Sequence, residues 1–390
     1  MTTTIFMATG RTITINNTTY DASQAANYHY GQFPPHEIAL DRVFEPLTRA
    51  LEQITRYDEK LQHTPNPDLL LAPLRQRDAV VSSRMEGTIS TLEEVLRLEA
   101  STSANRSEGV ARNDTVEVSL YARALRQAEV QVSEGYALSE HLIKTAHRTL
   151  LSYGRGAEKS PGDYKTSQNY VGDRARRRVD FIPIAPEHLS PAMAALVTFS
   201  RESDLHTLLK TAIVHAEFEA LHPFEDGNGR VGRMLIPLML WQQGLLSAPH
   251  FFVSDYFERH KDEYIDRLRY VSQENQWDEW CCFFLDALEA QARINIDVVT
   301  QVQQHYEDMT AQFREILRSQ YFGAAVDYMF ANPVFWNNHF VETASAPTST
   351  LRNFTPRLVN AGLLRTIVPP SGRAPGLYSF PSLLEIINVA

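Results

Sequence analysis

The sequence predicts a mainly α-helical fold with more than one domain. Apolar residues recur at spacings of three and four through most of the chain, which is the period of helices that bury one face. Short β-type runs with turn residues between them occur near residues 365–380. The 390 residues, of which 43% are hydrophobic, are enough for two or three domains with cores of their own.

The composition indicates where in the cell the protein is expected and which classes of partner it is expected to bind. Residues 1–17 lack a basic region followed by an apolar run, and no apolar run approaches the roughly 18 residues that would span a bilayer. Cys281 and Cys282, the only cysteines, are adjacent in an apolar helical stretch, so we expect core packing rather than a disulfide framework. We therefore expect a cytoplasmic protein without membrane contacts, and the net charge of −10 argues against broad nucleic-acid binding.

The stretch HPFEDGNGRVGR, residues 222–233, places two arginines on the first turn of a predicted helix. The helix is indicated by the apolar spacing in RVGRMLIPLMLWQQG, with Gly244 as its stop. A helix begins with unpaired N–H groups and the positive end of its dipole, so Arg230 and Arg233 imply that an anion binds nearby. They are three residues apart and share one face, where they can grip a single anion.

The same stretch combines a phosphate cradle, a base and a ligand for a hard cation. The glycines of DGNG permit positive φ, and the N–H groups of such a loop can converge on a phosphate. His222 is near its pKa at neutral pH, and Asp226 offers the oxygen that Mg²⁺ prefers. No Lys-Ser/Thr pair follows the last glycine, which excludes a standard P-loop. Each residue alone fits an ordinary turn, and Phe224 fits a core anchor, but their combination predicts a nucleotide site.

The segment before this stretch predicts an amphipathic scaffold helix that ends near Leu221, because Pro223 follows. The apolar face of that helix comprises Leu205, Leu208, Leu209, Ala212, Ile213 and Ala216. His215, Glu219 and His222 fall at i, i+4 and i+7, so a zinc site on one helical face is an alternative interpretation. The zinc-protease pattern His-Glu-x-x-His is absent, which makes that alternative the weaker one.

The rest of the chain predicts further helices and a small C-terminal domain. Residues 254–292 predict one or two amphipathic helices, and residues 289–318 predict a long connecting helix. From residue 321 onward, helical segments precede β-type runs around a turn-rich segment, which is the order of a winged helix-turn-helix. That region has four Arg, no Lys and three acidic residues, so protein docking is favoured at least as much as DNA binding.

Residues 222–233 resemble the Fic family motif, His-Pro-Phe-x-Asp/Glu-Gly-Asn-Gly-Arg-x-x-Arg, at every fixed position. The resemblance implies transfer of AMP, or less often another phosphate-containing group, from a nucleotide to a protein hydroxyl. It also implies a role for each matching residue: His222 as the base, Asp226 as the Mg²⁺ ligand, Gly227, Asn228 and Gly229 as the phosphate cradle, and Arg230 and Arg233 on the distal phosphates.

A second segment resembles the inhibitory motif of Fic proteins, Ser/Thr-x-x-x-Glu-Gly/Asn. Ser82, Glu86 and Gly87 occupy its fixed positions, in a segment with helical period on both sides of Gly87. The resemblance implies that Glu86 pairs with Arg233, so that ATP cannot seat its γ-phosphate productively.

Residues 160–189 resemble the flap of Fic proteins, a short hairpin that holds the target segment as an added strand. Lys165 stands where family members often have an arginine, and the two side chains are not equivalent. The basic run RARRR at residues 174–178 is interpreted as a solvated turn, with a docking role as the alternative.

These resemblances predict a mainly α protein with a helical Fic core, a small β-hairpin flap and a C-terminal winged helix-turn-helix. The predicted regions are an N-terminal helical region with the inhibitory helix at 1–110, the catalytic core at 111–290, the connecting helix at 291–320 and the winged-helix-like domain at 321–390. We expect an autoinhibited adenylyltransferase that uses ATP and Mg²⁺ to modify a Ser, Thr or Tyr hydroxyl of a protein, itself included. A DNA-binding regulator with the Fic core as nucleotide sensor, an enzyme that removes AMP, and a homodimer are left open.

Overall fold

A computed structural model describes residues 12–15, 17–104 and 112–389. The described chain is mainly helical, which confirms the predicted fold class. The helices in chain order are α1 (Leu40–Gln62), α2 (Pro67–Leu70), α3 (Ala72–Met85), α4 (Leu92–Ser103), α5 (Asn113–Ser133), α6 (Glu140–Leu150), α7 (Pro186–Glu202), α8 (Thr207–Leu221), α9 (Asn228–Gln242), α10 (Ser254–Arg259), α11 (Lys261–Glu274), α12 (Trp277–Leu317), α13 (Phe322–Ala331), α14 (Asn337–Thr343), α15 (Thr348–Leu351), α16 (Phe354–Asn360) and α17 (Pro381–Val389).

Two small sheets accompany these helices in the described ranges. Their strands are β1 (Thr12–Ile15), β2 (Thr18–Asp21), β3 (Ala26–Asn27), β4 (Val171–Asp173), β5 (Arg178–Ile182), β6 (Val334–Trp336), β7 (Arg365–Val368) and β8 (Leu377–Ser379). In the first sheet β5 pairs antiparallel with β4 and parallel with β2 and β3, and β1 pairs antiparallel with β2. The second sheet has the order β6-β8-β7 and is antiparallel.

The chain forms two compact units. The first contains residues up to 51, 127–245 and 259–288, and the second contains 52–126, 246–258 and 289 onward. Helices α1, α5, α10 and α12 contribute residues to both units. Residues 222–233 lie in the first unit and the segment 82–87 in the second. Among the helices of the described residues, none combines the length and hydropathy needed to cross a membrane.

The core of the first unit is built around α8 and α9. Residues 208–218 of α8 are all buried, so the predicted amphipathic pattern is wrong, and Leu205 lies before the helix begins. Polar side chains account for the error, because His215 and Glu217 are buried with hydrogen-bond partners and do not mark a solvent face. The end of α8 at Leu221 and the course of α9 to Gln242 confirm the predicted boundaries.

Strands β4 and β5 form the hairpin predicted for residues 160–189. Its turn carries the run RARRR, and residues 174–178 are all exposed, as expected of a solvated turn. Arg176 pairs with Asp173 at 3.5 Å and Arg178 with Asp180 at 2.5 Å, so part of the basic charge is balanced within the hairpin.

The helices after α9 differ from the prediction in number and length. Residues 254–292 form α10, α11 and the beginning of α12 rather than one or two helices. The predicted connecting helix is not separate, because α12 runs from Trp277 to Leu317 without a break. No Pro or Gly interrupts that range, so nothing in the local sequence stops the helix. Cys281 is buried in it, as expected, and Cys282 is half-buried.

In the second unit, α3 and α4 flank Gly87 as the periodicity predicted. A capping box at Thr91 and Glu94 begins α4, in which each residue accepts a bond from the other's backbone N–H. The C-terminal residues contain α13 to α17 and the antiparallel sheet β6-β8-β7. Strands β7 and β8 lie where the β-type runs were predicted, whereas the winged helix-turn-helix assignment stays a prediction.

Candidate active site

His222 lies immediately after α8 in the left-handed region, with φ of 47°. Its backbone N–H still donates to the Phe218 carbonyl at 3.0 Å, so the helix delivers the residue directly into the loop. The ring Nδ1 is 3.3 Å from the Glu219 carbonyl oxygen. A carbonyl can only accept, so Nδ1 carries the proton in the neutral ring, and Nε2 is the nitrogen that can take one up.

The loop between α8 and α9 is closed by the side chain of Asn228. Its Oδ1 accepts from the Phe224 N–H, and its Nδ2 donates to the Phe224 carbonyl, both at 2.8 Å. Asn228 is 2% exposed and Phe224 is fully buried. The Asn228 side chain therefore fixes the conformation of the loop. Because both of its polar atoms bond Phe224, the group that Asn228 can offer to a phosphate is its backbone N–H at the start of α9.

Buried His147 on α6 supports the loop and was missed from the sequence. Its ring stacks on Phe224 with centroids 3.7 Å apart. Its Nδ1 accepts from the Gly162 N–H at 2.8 Å, and its Nε2 donates to the Asp226 carbonyl at 2.9 Å. This pairing needs the neutral ring, and burial lowers the pKa of His147 to about 4. No local pattern in the sequence connects position 147 with position 226.

Asp226 lies at the turn into α9 with its side chain 34% exposed. Its Oδ1 accepts from the Gly227 N–H at 2.6 Å and from Arg230 Nη2 at 3.4 Å. Gly227 has φ of 78°, which favours glycine at this position. Within the described ranges Oδ2 makes no hydrogen bond or ion pair, so this carboxylate retains one hard oxygen for a cation.

Arg230 and Arg233 lie on the first turns of α9 and are 0% and 2% exposed. Buried guanidinium groups at the positive end of a helix require compensating anionic partners, and Asp226 supplies one to Arg230 at 3.4 Å. The backbone at Gly232, between the two arginines, packs closely against α8, because a Cβ on Gly232 would lie 2.2 Å from Glu219 Oε1. The two arginines are therefore held in a densely packed part of the unit.

His215 does not act as a zinc ligand in this arrangement. Its Nδ1 lies 3.2 Å from the Gly232 carbonyl and its Nε2 lies 2.8 Å from the Tyr264 hydroxyl. Burial, followed by the charge of Arg233, lowers the pKa of His215 to about 3. His222 has left the helix, and no group of three His, Cys, Asp or Glu arranged for a metal occurs in residues 12–15, 17–104 and 112–389.

The predicted inhibitory residues lie at the end of α3 in the second unit. Ser82 is fully buried, whereas Glu86 is exposed at the C-cap position directly after Met85. Gly87 has φ of 85°, and its N–H donates to the Arg84 carbonyl at 2.9 Å. The helix thus ends in a left-handed glycine, a common way of terminating a helix. The pairing of Glu86 with Arg233 stays a prediction.

Two family models match this chain. The model of the Fic/DOC family matches residues 137–240, and the model of the Fic/DOC family N-terminal region matches residues 44–129. The chain belongs to the Fic/DOC family. The first match contains the loop at 222–233, and the second contains the segment at 82–87.

Curated relatives and a solved structure extend the comparison. A probable protein adenylyltransferase of Aquifex aeolicus is 28% identical over 156 residues, covering 40% of this chain and 44% of that protein. The protein adenylyltransferase Fic of Nematostella vectensis is 24% identical over 245 residues, covering 60% and 46%. The chain thus spans less than half the length of these relatives. A crystal structure of a Fic family protein from Desulfovibrio desulfuricans G20 has a TM-score of 0.57 at 22% identity and covers 89% of this chain and 98% of that one, which supports the fold.

Proposed function

We propose that this Fic protein is a protein adenylyltransferase that transfers AMP from ATP to a hydroxyl of a protein, itself included. The observation that carries the proposal is the loop between α8 and α9. It presents His222 with Nε2 as its proton-accepting nitrogen, directly before a helix start that carries Arg230 and Arg233. A base next to a phosphate-binding helix start is the combination that transfer to a hydroxyl requires. The curated relatives named adenylyltransferases point to the same activity.

In the proposed reaction, His222 Nε2 accepts the proton of the target hydroxyl as that oxygen attacks the α-phosphorus of ATP. The new O–P bond forms as the bond from the α-phosphorus to the bridging oxygen breaks, and pyrophosphate leaves. The proton moves to His222, and no covalent enzyme intermediate is needed. Positioning and charge stabilisation carry most of the rate enhancement in such transfers.

The phosphates of ATP would be held by the N-terminal end of α9. Gly227, Asn228 and Gly229 would offer backbone N–H groups, and Arg230 and Arg233 would neutralise the distal phosphates. Asp226 would hold Mg²⁺ through Oδ2, since one carboxylate with substrate phosphates is a typical Mg²⁺ arrangement. Bound Mg²⁺ would supply charge stabilisation on the phosphate oxygens.

We propose further that Glu86 inhibits the enzyme by competing with the γ-phosphate for Arg233. Both ligands are anionic oxygens suited to the same guanidinium, so they exclude each other. Ser82 and Gly87 would serve this role by setting the end of α3, where Ser82 is buried and Gly87 adopts the left-handed conformation.

The test is to incubate the protein with ATP labelled at the α-phosphate and, in parallel, with ATP labelled at the γ-phosphate, and to separate the products on a denaturing gel. The proposal predicts that only the α-label enters protein and that pyrophosphate is released. Incorporation of the γ-label would indicate phosphate transfer instead. Retention of DNA without incorporation of any label would favour the regulator interpretation.

A further inference from the structure

The segment before β4 satisfies the carbonyl groups of the four consecutive residues 221–224, which carry His222. Within this segment the contacts are made by Lys165 and Asn169. The bonds are Lys165 Nζ to the Leu221 carbonyl (3.0 Å), Asn169 Nδ2 to the His222 carbonyl (3.0 Å), Lys165 N–H to the Pro223 carbonyl (2.8 Å) and Asn169 Nδ2 to the Phe224 carbonyl (2.9 Å).

These carbonyls need partners because α8 ends at Leu221 and the chain then leaves regular structure. Buried backbone groups that lose helical hydrogen bonds must find others, or their burial costs free energy. His222 is also in the left-handed region without being a glycine, a conformation that persists only when the surroundings impose it. Lys165 and Asn169 bond the carbonyls on either side of His222, where they can hold its backbone in the left-handed conformation.

A hydrogen bond of 2.8 Å between Lys165 Nζ and Asn169 Oδ1 joins the two residues. Because the ammonium can only donate, it fixes Oδ1 towards Lys165 and leaves Nδ2 to face the two carbonyls. Lys165 is 4% exposed, and burial lowers its pKa to about 7. A neutral amine keeps two N–H donors, so both side-chain bonds can form in either protonation state.

We propose that Lys165 and Asn169 are positioning residues for the catalytic base, which they hold through the backbone of residues 221–224. This inference rests on the proposed adenylyltransferase activity. Strand β4 of the hairpin begins at Val171, two residues after Asn169, so a single short segment connects the predicted target-binding flap with the base. The position of the flap is thereby fixed relative to that of His222. A target hydroxyl bound at the flap would then lie at a defined distance from Nε2.

These contacts predict that loss of Lys165 or Asn169 lowers the rate of transfer without weakening the binding of ATP. The phosphate-binding residues 227–233 begin three residues after the supported carbonyls, and their backbone is held instead by the first turn of α9, where the Val231 N–H donates to the Gly227 carbonyl at 3.0 Å. Loss of Lys165 or Asn169 should therefore displace the base while leaving the ATP site in place. A displacement of about 1 Å at a reacting group costs on the order of 100-fold in rate.

The experiment compares self-labelling from α-labelled ATP in the full chain and in four variants. Lys165→Met removes both side-chain donations, and Asn169→Asp turns the amide into a carboxylate that repels the His222 and Phe224 carbonyls. Lys165→Arg keeps a cationic donor. Lys210→Met is the matched control, because Lys210 is 5% exposed in the same unit and donates to the Ser203 carbonyl, away from the loop. The maximal labelling rate, the half-saturating ATP concentration and the melting temperature are measured for each protein.

We expect Lys165→Met and Asn169→Asp to lower the maximal rate by about 10- to 100-fold with half-saturation by ATP unchanged within about twofold. Lys165→Arg should fall between Lys165→Met and wild type, and Lys210→Met should label like wild type even where its melting temperature falls. Maximal rates of Lys165→Met and Asn169→Asp equal to that of Lys210→Met would overturn the inference, and so would a rise in half-saturation at an unchanged maximal rate.

A second readout does not depend on labelling. The Cε1–H resonance of His222, assigned by its absence in His222→Ala, should shift in Asn169→Asp and stay in place in Lys210→Met. A Glu86→Gly protein that binds ATP and incorporates no label would contradict the proposed function, and the resonance would still decide this inference. An unchanged His222 resonance in Asn169→Asp would overturn it.

Discussion

The loop that carries His222 and the segment that carries Glu86 are built in opposite ways. In the loop, Phe224 is fully buried and stacks on buried His147 of α6, and the side chains of Lys165 and Asn169 donate hydrogen bonds to the loop backbone. In the segment, Glu86 is exposed at a helix end, and a Cβ on Gly87 would meet no atom within 4 Å. One region is fixed by packing and the other borders open space.

This difference matches what the two proposed roles demand. A general base has to be held within a fraction of an ångström of its productive position, because misplacement costs rate directly. An inhibitory carboxylate has to leave its partner when the enzyme is activated, so it gains nothing from a densely packed site. Changes in the fixed region should therefore lower the rate of AMP transfer, whereas loss of Glu86 from the exposed segment should raise it.

The largest effect is expected for His222→Ala. Removal of the base should lower AMP transfer by about 1,000-fold, while ATP binding persists because the phosphate-binding residues are separate. Self-labelling and calorimetric titration with ATP measure the two quantities. His141→Ala, which alters an exposed histidine on α6, should retain both. Transfer by His222→Ala at the wild-type rate would remove His222 from the role of base.

Glu86→Gly should change activity in the other direction. If the blocked state is favoured by about 3 kcal/mol, loss of the carboxylate raises the competent fraction by on the order of 100-fold. The self-labelling rate measures the change. The chain offers a matched control in Glu134→Gly, since Glu134 is also exposed just after a helix, α5, and is followed by Gly135 with φ of 90°.

Glu134→Gly should leave the labelling rate unchanged. Equal rates for wild type and a folded, ATP-binding Glu86→Gly protein would refute the inhibitory role. An equal gain in Glu134→Gly would indicate a general loosening of helix ends rather than a specific release of Arg233.

Asp226→Asn tests the metal within the fixed region. The amide oxygen can still accept from the Gly227 N–H, so the turn is kept while the charge that attracts Mg²⁺ is lost. We expect labelling to fall by about 10- to 100-fold and ATP binding to lose its dependence on Mg²⁺. Titration with ATP in excess Mg²⁺ and in chelator measures this. The adjacent Glu225→Gln serves as the control, and a Mg²⁺ dependence preserved in Asp226→Asn would exclude this ligand.

The smallest expected effect is on the pH dependence of folding stability, through His147. In the unfolded chain His147 binds a proton near an ordinary pKa of about 6.5. In the folded chain its pKa is about 4. The unfolded state therefore binds more protons between these values, and folding stability falls as the pH drops through that window.

His147→Gln retains a donor for the Asp226 carbonyl and an acceptor for the Gly162 N–H but does not titrate. Between pH 7.5 and 5.5 wild type should lose about 1.3 kcal/mol more stability than this variant. Denaturant unfolding at the two pH values measures the difference. Parallel losses in the two proteins would show that His147 is not held neutral by the fold.

The sequence predicted those features that depend on local order. The end of α8 before Pro223, the beginning of α9 at the glycine-rich turn and the break at Gly87 follow from spacing and turn residues. The roles of His147 and Asn169 did not follow, because their partners in the loop lie more than 50 residues away and no local pattern encodes such a contact. The burial of α8 was missed for a related reason: Glu217 looks solvent-exposed in sequence but bonds Tyr28 and His29 in the core.

The account is tested most directly by the intact mass of Glu86→Gly protein after incubation with ATP and Mg²⁺, alongside the double variant Glu86→Gly/His222→Ala. The account predicts that the single variant gains the mass of one or more AMP groups and that the double variant gains none, although both bind ATP. Adducts of equal abundance in both proteins, or none in a Glu86→Gly protein that binds ATP, would contradict it.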